Sequence, residues 1–142
     1  MLEKETPDHL DADLLLKLYD LRREEVMRAS RDAIREQFWP KGADDAVAIT
    51  KAKHPLNAAY RQVSTYWEMA YGMARHGIIH ADYMVEFCGE GLLLFAKVEP
   101  YLAEVRKAHS PRAFVNAEWV ATKTEMGKRI MESMRQRVKD RG

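Results

Sequence analysis

Two histidines stand four residues apart in the stretch RHGIIHADY, Arg75 to Tyr83. On one face of a helix, His76 and His80 would form a metal-ligand or acid–base pair. Gly77 argues against a shared face. His76 followed by Gly77 is the pattern of a helix ending on a left-handed C′ residue, with Ile78 as the apolar residue after it. His80 then falls at the N-cap of the next helix, with Ile79 at N′ and Met84 at N4, the spacing of a hydrophobic staple. Asp82 lies in the new first turn and His76 in the old last turn, each where the helix dipole favours its charge. No HExxH or ExxH spacing supports a metal here. The stretch reads as a corner, with His76 and His80 kept as candidate binding residues.

Glu68 is the next candidate. It follows Trp67 in TYWEMAY, at the edge of an apolar face, with Arg61 and Arg75 two turns away on either side. A carboxylate beside aromatic rings can titrate high enough to serve as an acid or base. The plainer role is a boundary carboxylate that reaches an arginine or a tyrosine hydroxyl. Glu86 and Glu90 could join Glu68 around a metal, but carboxylate-bridged bundle sites use Glu-x-x-His pairs and the chain has none. Cys88 has no basic neighbour in sequence and sits in an apolar stretch, the setting of an inert thiol. The GEG of 89–91 reads as mid-helix and matches no phosphate loop or dinucleotide fingerprint.

These residues depend on helices to position them. Glycine and proline are sparse, and apolar residues recur at helical spacing throughout. About four main helices are expected. The first spans about 7–38, with Thr6 and Pro7 at its start and Leu10, Leu14, Leu18 and Leu21 on one face. The second spans about 55–76, with Val63, Tyr66, Ala70 and Met73 inward. The third spans about 81–98, with Met84, Phe87, Gly91, Leu94, Phe95 and Val98 inward. Pro100 kinks it, and a short extension reaches 107. The fourth spans about 112–139. Ala113, Ala117, Val120, Thr124, Gly127, Met131, Met134 and Val138 give it a heptad-like seam, and Glu125–Arg129 and Glu132–Arg135 pair on its outer face. A short helical piece at about Asp44–Lys51 lies in the first connection.

Composition sets outer bounds. The chain has 142 residues, 46% hydrophobic and 32% charged, with formal net charge +1 and one cysteine. That balance suits a globular core and excludes an intrachain disulfide. It supplies no global field for nucleic acid. From Pro111 onward basic residues outnumber acidic ones, but the two are interspersed and no aromatic platform accompanies them, so a solvated face is favoured over a nucleic-acid surface. The acidic start MLEKETPDHLDAD is unlike a secretory signal. The longest apolar run, Leu92–Ala96, is far shorter than the roughly 20 residues of a membrane span.

The segments YWEMAYGMARHGIIHADYM and EPYLAEVRK, with the apolar helix between them, resemble a family of small bacterial all-helical proteins classed as a domain of unknown function. The resemblance covers about Tyr66–Arg106. It rests on the aromatic–Glu pair Trp67-Glu68, the corner Gly77-Ile78-Ile79, and Arg106 after the turn at Pro100. It implies an all-helical fold and supplies no reaction. It also brings Arg106 forward as a candidate, since Glu68 and Arg106 as the family's marked polar residues would most simply form a buried Glu–Arg pair. Many members of that family carry an N-terminal membrane helix, which this sequence does not show.

The sequence therefore predicts an all-α irregular bundle forming a single helical domain over 1–142, with frayed ends at 1–6 and 140–142. The preferred function is a non-enzymatic interaction or scaffold module in the cytoplasm that self-associates or docks a protein partner, with no cofactor and no metal. The alternative is a small-ligand or metal-binding bundle, with enzymatic activity left open, using Glu68, His76, His80 and Arg106.

Overall fold

The structure is a computed structural model and describes residues 5–142; positions 1–4 of the expected frayed N-terminus lie outside the described residues. It is all-helical: among the described residues there is no strand. The helices are α1 (His9–Arg22), α2 (Glu25–Gln37), α3 (Ala43–Ala48), α4 (Asn57–Arg75), α5 (Ala81–Phe87), α6 (Glu90–Val98), α7 (Leu102–Ala108), α8 (Val115–Lys123) and α9 (Glu125–Arg141), with a 3-10 turn at Glu99–Tyr101 before α7.

Of the four long helices expected, only the second is continuous. The other three are each cut once, two of them at a residue whose side chain caps the helix that follows. The 7–38 helix breaks at Arg23 and Glu24, where Glu24 turns its carboxylate back onto the N–H groups of Val26 and Met27 at 3.0 and 2.9 Å. Those two bonds hold this exposed carboxyl below its usual range. The 81–98 helix breaks at Cys88 and Gly89. The 112–139 helix breaks at Thr124, which is the C-cap of α8 and the N-cap of α9 at once. Thr124 Oγ1 accepts from the Gly127 N–H at 2.9 Å and donates to the Val120 carbonyl at 2.8 Å.

Each break changes which residues face inward. On α1 only Asp11 and Leu18 are buried, and on α2 only Met27 and Ile34. Leu10 and Leu21, expected to share an inward face with Leu18, are exposed. Phe87, expected inward, is 53% exposed at the end of α5. The seam of the last helix survives its break: Ala117, Val120, Thr124, Gly127 and Met131 are all buried. It lines a sharp corner between two helices that pack on each other, so it is not a continuous coiled-coil stripe. Glu125 pairs with Lys128, not Arg129, and Arg135 crosses to Glu99 with both nitrogens at 2.9 and 2.8 Å, not to Glu132.

The core is built around α6. Its residues Gly91–Val98 are all buried, because EGLLLFAKV carries apolar side chains on every face and must be surrounded. The most extensive packing is of α2 on α4, α4 on α8 and α6 on α9. Gly91 is required where α6 meets α4: a Cβ there would lie 2.6 Å from Tyr71 Oη and 2.7 Å from the Trp67 ring. No helix is long and apolar enough to cross a membrane among the described residues.

Candidate functional site

The histidine corner has the geometry that its glycine requires. Gly77 adopts φ 73°, the left-handed region. The Gly77 N–H donates to the Ala74 carbonyl at 3.1 Å and the Ile78 N–H to the Met73 carbonyl at 2.9 Å, which is a Schellman ending. Ile79 and Met84 are both buried, whereas Ile78 points outward. His80 caps α5, its Nδ1 accepting from the Tyr83 N–H at 3.1 Å, and its own N–H donates to Asp11 Oδ1 at 2.8 Å. Nδ1 is thus an acceptor, which places the proton of a neutral ring on Nε2. Asp82 reaches α9, where its carboxylate accepts from the Met126 N–H at 2.9 Å. His76 is the exposed C-cap of α4. The corner thereby fastens α1, α5 and α9 together.

Glu68 and Arg106 meet at a different place, the start of α8. Glu68 accepts from the N–H groups of Asn116 and Ala117 at 3.0 and 2.8 Å, one on each carboxylate oxygen. Asn116 returns a bond from its side chain to the Glu68 carbonyl, and Arg75 donates to Asn116 Oδ1. Arg106 does not bond to Glu68. It donates to the Ala113 carbonyl at 3.0 Å and pairs with Glu118 at 3.0 Å. The two residues therefore hold the same helix start from either side, a shared scaffold in place of the expected direct pair. Burial raises the Glu68 carboxyl above its usual range, opposed by the two N–H groups and then by the charges of Arg106 and Arg75.

What they hold is strained. Phe114, the N-cap of α8, has φ 60° without being glycine, a conformation that costs about 1–3 kcal/mol. Its ring is buried against Tyr60 and Phe95. Beside it lies an open cleft of about 170 Å³, lined by Tyr60, Ser64, Glu68, His109, Ser110 and Arg112 among others. His76, His80 and Arg106 do not line that cleft.

A larger concavity forms where α1, α2, α5, α6 and α9 converge. It has a volume of about 460 Å³ and is lined by Arg22, Arg31, Arg35 and Arg137, with Glu86 and Glu90, over an apolar wall of Phe87, Leu93, Ile130 and Met134. Glu90 binds both Arg31, at 2.7 Å, and Arg35, at 3.3 Å. Arg22 lies over the Tyr19 and Trp67 rings, 5.4 Å from each centroid.

Beneath it is Lys97, 2% exposed. Its Nζ donates to the Ile34 and Arg35 carbonyls at the end of α2, at 3.1 and 3.2 Å, and lies 3.9 Å from the Trp39 ring centroid. Burial first, then the charges of Arg137, Arg141 and Arg35, bring its ammonium down to about 7. An unfolded lysine keeps its proton to about pH 10. From about pH 7 the unfolded chain therefore binds the extra proton and stability rises with pH, a rise opposed above about pH 8.5, where the buried Cys88 thiol keeps its proton in the folded chain and loses it in the unfolded one. Above about pH 10 the slope reverses, because burial raises the hydroxyls of Tyr60, Tyr66 and Tyr71. Denaturant unfolding at neutral and at mildly alkaline pH measures this rise. Lys97→Met is expected to flatten it; an undiminished rise in the variant would remove Lys97 as its cause.

The groove escapes a sequence reading because its arginines come from three helices. Two local signals were present: Arg31 and Arg35, one turn apart on α2, and a lysine inside the most apolar helix. Cys88 is buried, and its thiol is raised by that burial although Arg22 stands near it in space. Among the described residues, no three His, Cys, Asp or Glu side chains are grouped to hold a metal ion.

A family model described as a domain of unknown function, DUF4760, matches residues 7–124. The likeness seen over Tyr66–Arg106 thus extends through most of the chain. No curated protein and no solved structure matches.

Proposed function

The chain belongs to the DUF4760 family, a domain of unknown function, and from that premise we propose a non-enzymatic interaction module that self-associates through the outer face of α1. It acts as one domain in the cytoplasm. The observation that carries this reading is the apolar character of α1 on both sides. Leu18 faces the core with Leu14 and Leu15 packed against it. Leu10, Leu16, Tyr19 and Leu21 face out, Leu16 with 64% of its surface exposed, and Val26 continues the exposed series past the break. Large apolar side chains left on the outer side of a helix mark a surface that a second body can cover.

The second body is another copy of the chain. On the outer face Asp13 and Lys17 lie one turn apart among the exposed leucines. An antiparallel apposition of two α1 helices sets Asp13 of one copy against Lys17 of the other. A twofold contact must be self-complementary in this way.

Sedimentation velocity on the wild type and on a Leu16→Asp, Leu21→Asp variant tests the reading. The wild type is expected to be a dimer and the variant a monomer with unchanged helical circular dichroism. A monomeric wild type throughout the micromolar range would overturn it. The alternative, a ligand or metal site built from Glu68, His76, His80 and Arg106, has less support. Glu68 and Arg106 give their polar atoms to α8, His80 caps α5, and His76 faces solvent.

A further inference from the structure

We propose that the groove between α2, α6 and α9 binds an amphiphilic anion: a phosphate or carboxylate head carried on an apolar chain.

Charge is the first argument. Four guanidiniums face one concavity against two carboxylates. Glu90 is the one carboxylate of the groove that is bonded, and it is shared by Arg31 and Arg35. Among the described residues neither Arg22 nor Arg137 has a carboxylate within ion-pair distance. Guanidiniums present paired N–H donors that match the oxygens of phosphate or carboxylate, and such charge-assisted bonds are the strong ones.

Shape is the second. The volume of about 460 Å³ falls within the range of small-ligand sites. One wall is apolar, and Phe87 and Met134 line it. Phe87 is 53% exposed there, and a large aromatic left in water beside a charged cluster gives an apolar chain a place to lie. An inorganic anion would satisfy the arginines and leave that wall wet. An uncharged hydrocarbon would cover the wall and leave Arg22 and Arg137 without an anionic partner. Only a ligand with both parts meets both surfaces.

Two of the arginines, Arg31 and Arg35, are also held in place before any ligand arrives. Arg31 donates to the Arg22 carbonyl at 3.2 Å as well as to Glu90, which ties the end of α1 to α2 and α6. Positions fixed by such bonds lose little freedom on binding.

Calorimetric titration with octyl phosphate, octanoate, inorganic phosphate and octyltrimethylammonium tests the proposal. The two octyl anions are expected to bind with affinity that falls as salt rises. Inorganic phosphate is expected to bind at least about tenfold more weakly, and the cation not at all. Arg137→Glu and Phe87→Ser alter exposed side chains and are expected each to weaken octyl phosphate by about tenfold while leaving the thermal midpoint in place. Vesicles of phosphatidylcholine, with and without phosphatidic acid, separate the sources of the head group. Cosedimentation with the acidic vesicles alone assigns a bilayer lipid, and octyl phosphate binding without cosedimentation assigns a soluble amphiphile. Absence of binding by both octyl anions, or equal affinity in the wild type and in both variants, overturns the proposal.

Discussion

Gly127→Ala is expected to lower the unfolding free energy by about 3–5 kcal/mol, the sum of overpacking and the loss of the hydrogen bonds it displaces. A Cβ at Gly127 would lie 2.0 Å from the Val120 carbonyl oxygen and 2.4 Å from Thr124 Oγ1. The first is backbone and cannot rotate away. The second is the cap that starts α9 and closes α8. Relief requires α8 and α9 to separate, and their corner carries Val120, Ala117 and Met131 in the core. For a chain of this size the thermal midpoint should fall by roughly 10 °C or more. Gly42→Ala is the matched control: nothing lies within 4 Å of a Cβ there, and its backbone is extended. As the N-cap of the short α3 it should lose at most about 1 kcal/mol. Denaturant unfolding of both variants decides the matter. A loss below about 1 kcal/mol at Gly127 would show that the corner opens without cost.

Glu68→Ala should be the next most damaging change, at about 2–3 kcal/mol. It deprives two partly buried N–H groups of α8 of their acceptor and leaves the strained Phe114 cap supported from the Arg106 side alone. Glu68→Gln keeps one acceptor oxygen and should lose about half as much. A pH readout distinguishes the charge from the bonds. The folded carboxyl titrates above its unfolded value because burial dominates. As pH rises past the unfolded value, near 4.3, the unfolded carboxyl ionises first. The folded chain then binds more protons, so stability falls through that window until the folded carboxyl also ionises. Glu68→Gln should remove that decline. Equal stability of the wild type and Glu68→Ala would mean that α8 starts without its cap.

The helix end at Gly77 was legible in the residues, whereas Gly89, expected mid-helix, is the N-cap of α6. Gly77 announced the corner, and His80, Ile79 and Met84 took their expected positions because capping and stapling are local. The cuts at Glu24 and Thr124 were hidden for a different reason. Glutamate is a good helix former and an unusual cap, and the seam through Thr124 keeps its spacing although the helix does not continue. The inward faces of the first helix were misread as a direct consequence, since a break resets the angle at which every later side chain points. The Glu68–Arg106 relation was half visible: both residues matter to one place, but that place is the start of α8, forty-eight residues from Glu68 in sequence. The arginine groove was not visible, because no single stretch contains it.

The interruption at Arg23 and Glu24 also divides the start of the chain into two units with separate fates when the protein opens. α1 is fastened at Asp11, under the histidine corner, and at Leu18, whose carbonyl accepts from Tyr66 Oη. α2 beyond the break keeps Met27, Ile34 and Phe38 in the core. Detachment of α1 therefore leaves α2, α4 and α6 packed, a partial opening well short of global unfolding. In hydrogen exchange such a segment behaves as its own cooperative unit. Whatever covers α1 slows the exchange of its amides without touching the rest of the bundle.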